Sequence, residues 1–259
     1  MAFASSIEWT EATWNPTTGC SPVSAGCTNC YARRLALRLQ AMGNPNYADG
    51  FRLTLHEHML GVPLSWRKPR MVFVNSMSDL FHTHVPFSFT DSVFETMRAC
   101  PRHIFQLLTK RSAKLLAYAR RLERWPENVW AGVTVEDARV KSRIADLRAV
   151  PAAVRFLSCE PLIADVGSLP LDGIHWVIVG GESGPGAREM KESWVQSIRR
   201  QCEDAGVAFF FKQWGGVRKD LTGRELNGQV YDELPELHPG LVAAESLLVG
   251  DAPRPGAQR

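Results

Sequence analysis

The sequence is poor in the features that would assign it to several classes of protein. None of its apolar runs approaches the roughly 20 residues of a membrane-spanning helix, so we expect no membrane partner. Its start has no basic residues followed by an apolar stretch, the pattern of a secretory signal. We therefore expect a cytoplasmic protein whose six cysteines form no disulfide framework. A net charge of +3 is mildly basic, which is compatible with a nucleic-acid partner without requiring one.

The composition is that of a folded globular chain. Of its 259 residues, 45% are hydrophobic and 22% are charged, which excludes collagen, coiled coil and wholesale disorder. The length is enough for one domain of barrel size. We expect a single barrel domain over residues 1–234 and a Pro- and Gly-rich C-terminal tail over residues 235–259.

Short apolar runs predict strands that are buried on both faces. They are rich in β-branched and aromatic residues and lack polar alternation, which is typical of parallel strands covered on both sides. The runs are Met71–Val74, Ile104–Leu108, Val129–Val135, Val154–Leu157, Trp176–Val179 and Val207–Phe211. A less distinct strand is expected before Cys20.

Amphipathic segments between these runs predict helices. The clearest, Tyr31–Ala41, has leucines on one face and arginines on the other. Similar patterns predict helices over Asp91–Ala99, Ser112–Glu123, Glu136–Leu147 and Ser193–Ala205. Repeated strand–helix alternation predicts an α/β fold with parallel strands, in the form of a partial or complete (β/α) barrel. A doubly wound open sheet is the alternative, because periodicity does not separate the two.

Polar residues follow every predicted strand. Active sites of parallel α/β folds lie at the carboxyl ends of the strands. The segments at these ends are Asn75–Asp79, Thr109–Arg111, Glu136–Asp137, Ser158–Pro161, Gly180–Gly184 and Lys212–Trp214. Six such ends on one rim predict a site for a polar ligand with both acidic and basic groups; scattered caps and turns are the alternative.

Three cysteines lie close together in the segment GCSPVSAGCTNCYA, residues 19–32. Cys20, Cys27 and Cys30 have the spacing C-x6-C-x2-C and stand just before a predicted helix. Thiolates favour zinc or an iron–sulfur cluster. Structural zinc usually has four ligands close in sequence, whereas here a fourth must come through the fold from His56, His58, His82 or His84. Three thiolates favour a four-iron cluster with one open iron; zinc and no metal are the alternatives.

This cysteine loop resembles that of the radical S-adenosylmethionine (SAM) superfamily, where the usual spacing is C-x3-C-x2-C, so the first gap here is longer. NSMSD at residues 75–79 and LLTKR at residues 107–111 resemble segments of its spore photoproduct lyase-like branch. Roughly residues 7 to 216 resemble more closely an uncharacterised phage- and bacteria-associated family with a three-cysteine motif. The shared stretches are EWTEATWNPTTGC, VFVNSMSDLFH, FLSCEPL, VIVGGESGPGAR and FFFKQWGG.

The resemblance implies a [4Fe-4S] cluster on Cys20, Cys27 and Cys30, with SAM as a second cofactor. For the SAM amino group it implies Ser76, Ser78 and Asp79, with Asn75 in the same segment. Lys110 is implied for the carboxylate, and Glu136, Glu160 or Glu182 for the ribose. Cys159 and Glu160 are the catalytic candidates, Cys159 as a hydrogen-atom donor; a small buried core residue is the alternative for this cysteine.

The function that the resemblance implies is that of an iron–sulfur enzyme of lyase- or transferase-like type. It would cleave SAM reductively, with an electron donor, and start radical chemistry on a nucleic acid or nucleotide, in DNA repair or modification. One alternative is a non-catalytic nucleic-acid-binding protein stabilised by a metal or cluster. Another is an iron–sulfur redox or light-responsive repair protein that does not cleave SAM. The sequence predicts neither the oligomeric state nor the individual substrate.

Overall fold

The computed structural model describes residue 5 and residues 7–236. Its strands are β1 Ala12–Trp14, β2 Thr17–Thr18, β3 Thr54–Leu55, β4 Met71–Val74, β5 Ile104–Thr109, β6 Val129–Thr134, β7 Arg155–Cys159, β8 Trp176–Gly180 and β9 Ala208–Gln213. Its α-helices are α1 Tyr31–Ala41, α2 Phe87–Arg98, α3 Ser112–Ala119, α4 Ser142–Arg148, α5 Glu192–Ala205 and α6 Lys219–Thr222.

Seven strands form one parallel sheet in the order β1-β4-β5-β6-β7-β8-β9. The spatial order of the strands follows their order along the chain, so the sheet has no switch point of the kind that defines a doubly wound fold. Within the described part of the chain, β1 and β9 do not pair with each other. The fold is therefore a partial (β/α) barrel, which confirms the predicted α/β class.

Alternate side chains of each strand serve two separate cores. Outward residues such as Val72 and Val133 belong to the large core that includes helix residues such as Val93 and Ile198. Inward residues form a second cluster of strand side chains around the buried ring of Trp176. Its other aromatic members are Trp9, Phe73, Trp130, Phe156 and Phe210. These rings fill much of the concave face, and two of them, Trp9 and Phe73, also border the cavity at the carboxyl ends of the strands.

Three predicted helices have other bounds in the structure: α2 begins earlier, at Phe87, α3 ends earlier, at Ala119, and α4 begins later. The last difference has a physical reason. The segment Glu136–Leu147 was expected to be helical throughout, but α4 begins only at Ser142. Glu136 follows β6 directly, and its carboxylate forms a buried ion pair of 2.8 Å with Arg143. The side chain is therefore held in the interior, and the chain has to turn before the helix starts. The short antiparallel pair of β2 with β3 is a further element that the sequence patterns did not indicate.

The free edge of β9 is covered by the segment that follows the barrel. Phe210 forms an antiparallel bridge with Asp232, and the backbone carbonyl of Glu233 accepts a 2.8 Å hydrogen bond from Trp176 Nε1. Covering an edge in this way blocks further strand pairing. The predicted tail lies outside the described residues from residue 237 onward, so its boundary stays a prediction. Among the described helices, none is both long enough and apolar enough to cross a membrane.

Candidate active site

A cavity of about 790 Å³ lies at the carboxyl ends of the strands. Such a volume is in the upper part of the range of small-molecule sites. Its wall includes residues of the cysteine loop and of five of the six strand-end segments of the expected rim. The sixth segment, Glu136–Asp137, does not line it. The members used below are Cys20, Cys27, Cys30, Asn75, Ser76, Ser78, Asp79, Lys110, Arg111, Ser158, Glu160, Glu182, Lys212 and Gln213.

The cysteine loop is held to the barrel through its backbone. Gly19 has a φ of +79°, and a Cβ there would lie 2.1 Å from the carbonyl oxygen of Arg52, so only glycine fits. The same glycine donates a 3.1 Å backbone hydrogen bond to Met77, which lies after β4. Cys30 stands at the start of α1, and all three thiols of the loop are half-buried. The structure thus brings the three predicted cysteines to one cavity wall.

Arg111 connects the first cysteine to Asp79. Its Nη1 lies 3.4 Å from Cys20 Sγ and 2.9 Å from Asp79 Oδ2, and its Nη2 donates to the carbonyl of Ser21 at 2.8 Å. Burial raises the pKa of the Cys20 thiol, as does the charge of Asp79, whereas Arg111 lowers it. Arg111 was part of the predicted rim but had no predicted role; its contact with a thiol depends on the fold and has no signal in the sequence.

The carboxylate of Asp79 is fully engaged by the protein. Oδ1 accepts hydrogen bonds from Thr109 Oγ1 at 2.7 Å and from the backbone of Phe81 at 2.9 Å. Oδ2 accepts from Arg111 and, at 3.2 Å, from the backbone of Lys110. Asp79 therefore joins the segments after β4 and β5, and the structure gives it a different role from the expected contact with a SAM amino group.

Two further predicted carboxylates hold the cysteine loop, Glu182 from the cavity wall and Glu136 from outside it. Glu136 contacts Ser24 Oγ, and a Cβ on Gly26 would lie 3.0 Å from the Glu136 carboxyl carbon. Glu182 accepts from Asn29 Nδ2 at 2.9 Å and from Arg188 Nε at 2.8 Å. Burial raises the pKa of Glu182, but the hydrogen bonds from Arg188 and Asn29 outweigh burial and hold it below its ordinary value.

Asn75 and Lys110 are the predicted site residues whose polar groups the described protein leaves unpaired. Asn75 is 3% exposed, and neither its Oδ1 nor its Nδ2 has a hydrogen-bond partner among the described residues. The ammonium group of Lys110 likewise makes no bond to a described residue. Ser76 Oγ donates instead to Asn15 Oδ1 at 3.2 Å, and Ser78 Oγ lies 2.7 Å from Thr17 Oγ1. A buried amide without a partner is costly unless a ligand or water satisfies it.

Glu160 lies on the opposite wall in an ion pair with Lys212. Glu160 Oε1 and Lys212 Nζ are 3.0 Å apart, with 15% and 19% of the two side chains exposed. Glu160 Oε2 accepts a 3.3 Å hydrogen bond from Ser158 Oγ. The adjacent Gln213 donates from Nε2 to the carbonyl of Gly181 at 3.2 Å, while its Oε1 has no partner among the described residues.

Cys159 is not on the cavity wall. The alternation of β7 turns Ser158 inward and Cys159 outward, where the cysteine is fully buried in the core beneath the helices. Burial there raises the pKa of its thiol. This placement corrects the expectation of a hydrogen-atom donor at the site and agrees with the alternative of a small core residue.

The three thiols of the loop are a donor set suited to zinc or to an iron–sulfur cluster. No three Cys, His, Asp or Glu side chains among residues 5 and 7–236 converge on a point where one metal ion would bind. Of the candidate fourth zinc ligands, His82 Nε2 is engaged with Ser21 Oγ at 2.8 Å and His56 Nε2 with Thr18 Oγ1 at 2.8 Å.

Comparison with known proteins gives one family and one kind of solved structure. A family model with the description "Protein of unknown function (DUF5131)" matches residues 4–235. No curated protein matches the sequence. The chain is similar to spore photoproduct lyase complexed with dinucleoside spore photoproduct, with 12% identity and a TM-score of 0.45. It is also similar to a variant of that lyase with bound AdoMet and the dinucleoside (11%, 0.46) and to a single-site variant (13%, 0.49).

Each of these matches covers 78% of this chain and 63% of the lyase chain. The chain therefore spans less than two thirds of the length of the lyase.

Proposed function

The chain belongs to the DUF5131 family, whose description gives no function, and we propose that it is a radical SAM-like iron–sulfur enzyme that acts on a nucleotide or nucleic acid. The observation that carries this proposal is that the possible cluster ligands and the possible SAM-binding groups line one cavity. The three thiols of one loop line the same cavity as the unpartnered amide of Asn75 and the unpaired ammonium of Lys110.

In this proposal Cys20, Cys27 and Cys30 hold a [4Fe-4S] cluster. Three protein ligands leave one iron free, and the cluster would supply that iron to the amino-acid end of SAM and one electron for its cleavage. The protein's own contribution is to keep the loop in place. Glu136 and Glu182 hold it from the strand ends, through Ser24 and Asn29 respectively.

The unpaired groups are suited to the amino-acid part of SAM. Lys110 is a donor for its carboxylate, as the resemblance of the LLTKR segment implies, and the amide of Asn75 can both donate and accept. Asn75 has a φ of +63°, a conformation that asparagine tolerates better than most residues. Its side chain is thereby held on the cavity wall directly after β4.

For the substrate we propose a nucleotide or nucleic acid, the class that the resembling segments imply. Two of the three lyase structures named above contain a dinucleoside photoproduct, and one of these also contains AdoMet. A cavity of about 790 Å³ has room for a cofactor and part of a second molecule. Because the half-buried ion pair of Glu160 with Lys212 and the amides of Asn75 and Gln213 line the site, it suits a polar ring better than an apolar one.

Anaerobic reconstitution with iron and sulfide tests the cluster. We expect a visible charge-transfer absorbance and about four irons per chain in the wild-type protein. Cys27→Ala is expected to lose both, whereas Cys100→Ala, which changes a buried cysteine of the helix-side core, is expected to keep them. Stoichiometric zinc without visible absorbance would contradict the proposal.

Incubation of the reconstituted protein with dithionite and SAM tests the reaction. We expect release of 5′-deoxyadenosine from the wild-type protein and from Cys100→Ala, and none from Cys27→Ala. A reconstituted wild-type cluster without release above the Cys27→Ala background would favour the iron–sulfur protein that does not cleave SAM.

A further inference from the structure

A β-bulge at the end of β9 turns two neighbouring side chains toward the cavity. Val179 pairs with Phe211, but the next residue of β8, Gly180, pairs with Gln213, so Lys212 is the extra residue of the bulge. In a regular strand, Lys212 and Gln213 would point to opposite faces of the sheet. Both line the cavity instead. Bulges are common beside active sites because they redirect a side chain in this way.

Lys212, Gln213 and Glu160 together present hydrogen-bonding groups to the cavity. Lys212 Nζ contacts Glu160 Oε1 at 3.0 Å, which uses one of the three hydrogens of the ammonium group. Glu160 accepts only this contact and the one from Ser158, although a carboxylate has about four acceptor positions. Gln213 is 7% exposed, and its Oε1 accepts nothing from the described residues. The group therefore offers a ligand one donor side chain, Lys212, and two acceptor side chains, Glu160 and Gln213.

The complementary ligand presents one acceptor and two donors on one edge. Guanine has this set on its Watson–Crick edge, with O6 as the acceptor and N1–H and the N2 amino group as donors. Cytosine has the reverse set, one donor and two acceptors, and adenine lacks a carbonyl there. Uracil and thymine have one donor between two acceptors, so they satisfy Lys212 and Glu160 but leave Gln213 without a partner.

We propose that Glu160, Lys212 and Gln213 form a subsite that binds a guanine base by its Watson–Crick edge. This inference rests on the proposed function and names its substrate class. O6 accepts from Lys212, N1–H donates to the carboxylate of Glu160, and the N2 amino group donates to Oε1 of Gln213. Enzymes that act on a base in a nucleic acid take it out of the stack and contact the same edge, so the base can come from a free nucleotide or from a single strand.

Equilibrium binding of nucleoside monophosphates to the full chain, before and after cluster reconstitution, tests the subsite. We expect guanosine monophosphate to bind at least about tenfold more tightly than the cytidine or adenosine monophosphates, because one well-placed pair of hydrogen bonds discriminates by that amount. Equal binding of all four nucleotides would overturn the proposal. A short single strand with one guanine among thymines, compared with free guanosine monophosphate, shows which source binds more tightly.

Inosine monophosphate isolates the role of Gln213, since it lacks only the N2 amino group. We expect the wild-type protein to bind it several-fold more weakly than guanosine monophosphate. Gln213→Leu removes Oε1 and should abolish that difference while it keeps the preference over the cytidine nucleotide. An unchanged difference between the guanosine and inosine nucleotides in Gln213→Leu would contradict the assignment of this residue.

Glu160→Gln and Lys212→Met test the other two contacts, and each is expected to reduce the preference for guanosine over cytidine monophosphate by about tenfold. Asp172→Asn is the matched control, because it breaks a surface ion pair with Arg148 far from the cavity wall. If a variant fails to fold, the comparison of guanosine with inosine monophosphate in the wild-type protein still decides the proposal.

The two proposals fail separately. A wild-type protein that assembles about four irons and cleaves SAM but shows no nucleotide preference keeps the proposed function and loses the guanine subsite. A protein that prefers guanosine monophosphate but binds no cluster keeps the subsite and loses the radical SAM-like function.

Discussion

The guanidinium group of Arg111 donates a 3.4 Å hydrogen bond to the sulfur of Cys20. Arg111 is itself oriented by the 2.9 Å ion pair with Asp79 and by the carbonyl of Ser21. Only 8% of its side chain is exposed, so this contact is little screened by solvent. A hydrogen bond to a ligand sulfur stabilises the reduced, more negative form of an iron–sulfur cluster. In the proposed cluster site, Arg111 would therefore position the first cysteine and help to set how readily the cluster is reduced.

Replacement of Arg111 by Gln should shift the midpoint potential of the reconstituted cluster to a more negative value. The expected shift is on the order of 40 mV, since a hydrogen bond contributes about 1 kcal/mol and a one-electron potential changes by about 59 mV per tenfold. A redox titration followed by electron paramagnetic resonance measures it. Arg139→Gln is the control, because Arg139 is exposed and pairs with Asp137. Equal potentials in both variants would show that Arg111 does not act on the cluster.

The buried ion pair of Glu136 with Arg143 gives a prediction about stability. Glu136→Gln leaves the Arg143 guanidinium buried without its counter-charge, which should lower the free energy of unfolding by about 3–5 kcal/mol. Denaturant unfolding of the apo protein measures this loss. Asp172→Asn, at an exposed pair, should lower it by at most about 1 kcal/mol.

Because Glu136 also holds Ser24 of the cysteine loop, Glu136→Gln should in addition retain less iron after reconstitution. If the Glu136→Gln variant is destabilised but retains a normal iron content, Glu136 stabilises the barrel and does not hold the cysteine loop.

The architecture was predictable because the strands of a parallel barrel are buried on both faces. Met71–Val74 and Tyr31–Ala41 have the predicted bounds, since an uninterrupted apolar run and a clear helical periodicity are local properties. The predicted rim also follows from topology alone, because parallel strands bring all their carboxyl ends to one side. Strand topology therefore predicts that the segments after six strands lie on one rim, although it predicts none of the contacts between their side chains.

The roles of individual side chains were less predictable because they depend on partners distant in sequence. Nothing in the local sequence distinguishes Glu136 and Glu182, which hold the cysteine loop, from Glu160, which pairs with Lys212. The inward direction of Lys212 together with Gln213 comes from a bulge, which the run of phenylalanines before it does not indicate. Strand alternation could have indicated the outward direction of Cys159, since the adjacent Ser158 and Glu160 were both expected at the rim.

The lowered pKa of Glu182 predicts a pH-dependent contribution to stability. A carboxyl group with a lower pKa in the folded than in the unfolded state stabilises the fold above its unfolded value of about 4.3. That stabilisation is lost as the pH falls through the folded pKa. Glu182→Gln should therefore lower the free energy of unfolding at pH 7 by about 1–3 kcal/mol.

The difference between wild type and Glu182→Gln should be constant above about pH 5 and should shrink below about pH 4. Denaturant unfolding of both proteins across this range measures it. A difference that is independent of pH would mean that the charge of Glu182 does not account for its interaction with Arg188.

The unpaired amide of Asn75 and the ammonium of Lys110 give a prediction about cofactor binding. Asn75→Gly removes the amide and keeps a residue that adopts the φ of +63° without strain, so the fold should be as stable as before. Lys110→Met removes the charge and keeps much of the side chain's length. If these groups bind the amino-acid end of SAM, each variant should bind SAM about ten- to a hundredfold more weakly, because hydrogen bonds to charged groups contribute about 1.5–3 kcal/mol.

Equilibrium dialysis of labelled SAM against the reconstituted proteins measures this effect, with iron content determined in the same samples. Lys141→Met is the control, since that lysine donates to the carbonyl of Ser168 and lies outside the cavity wall. Unchanged SAM binding in both Asn75→Gly and Lys110→Met, at wild-type iron content, would place the cofactor elsewhere in the cavity. Weaker binding in Lys110→Met alone would mean that water rather than a ligand satisfies the amide of Asn75, because a buried polar group needs one or the other.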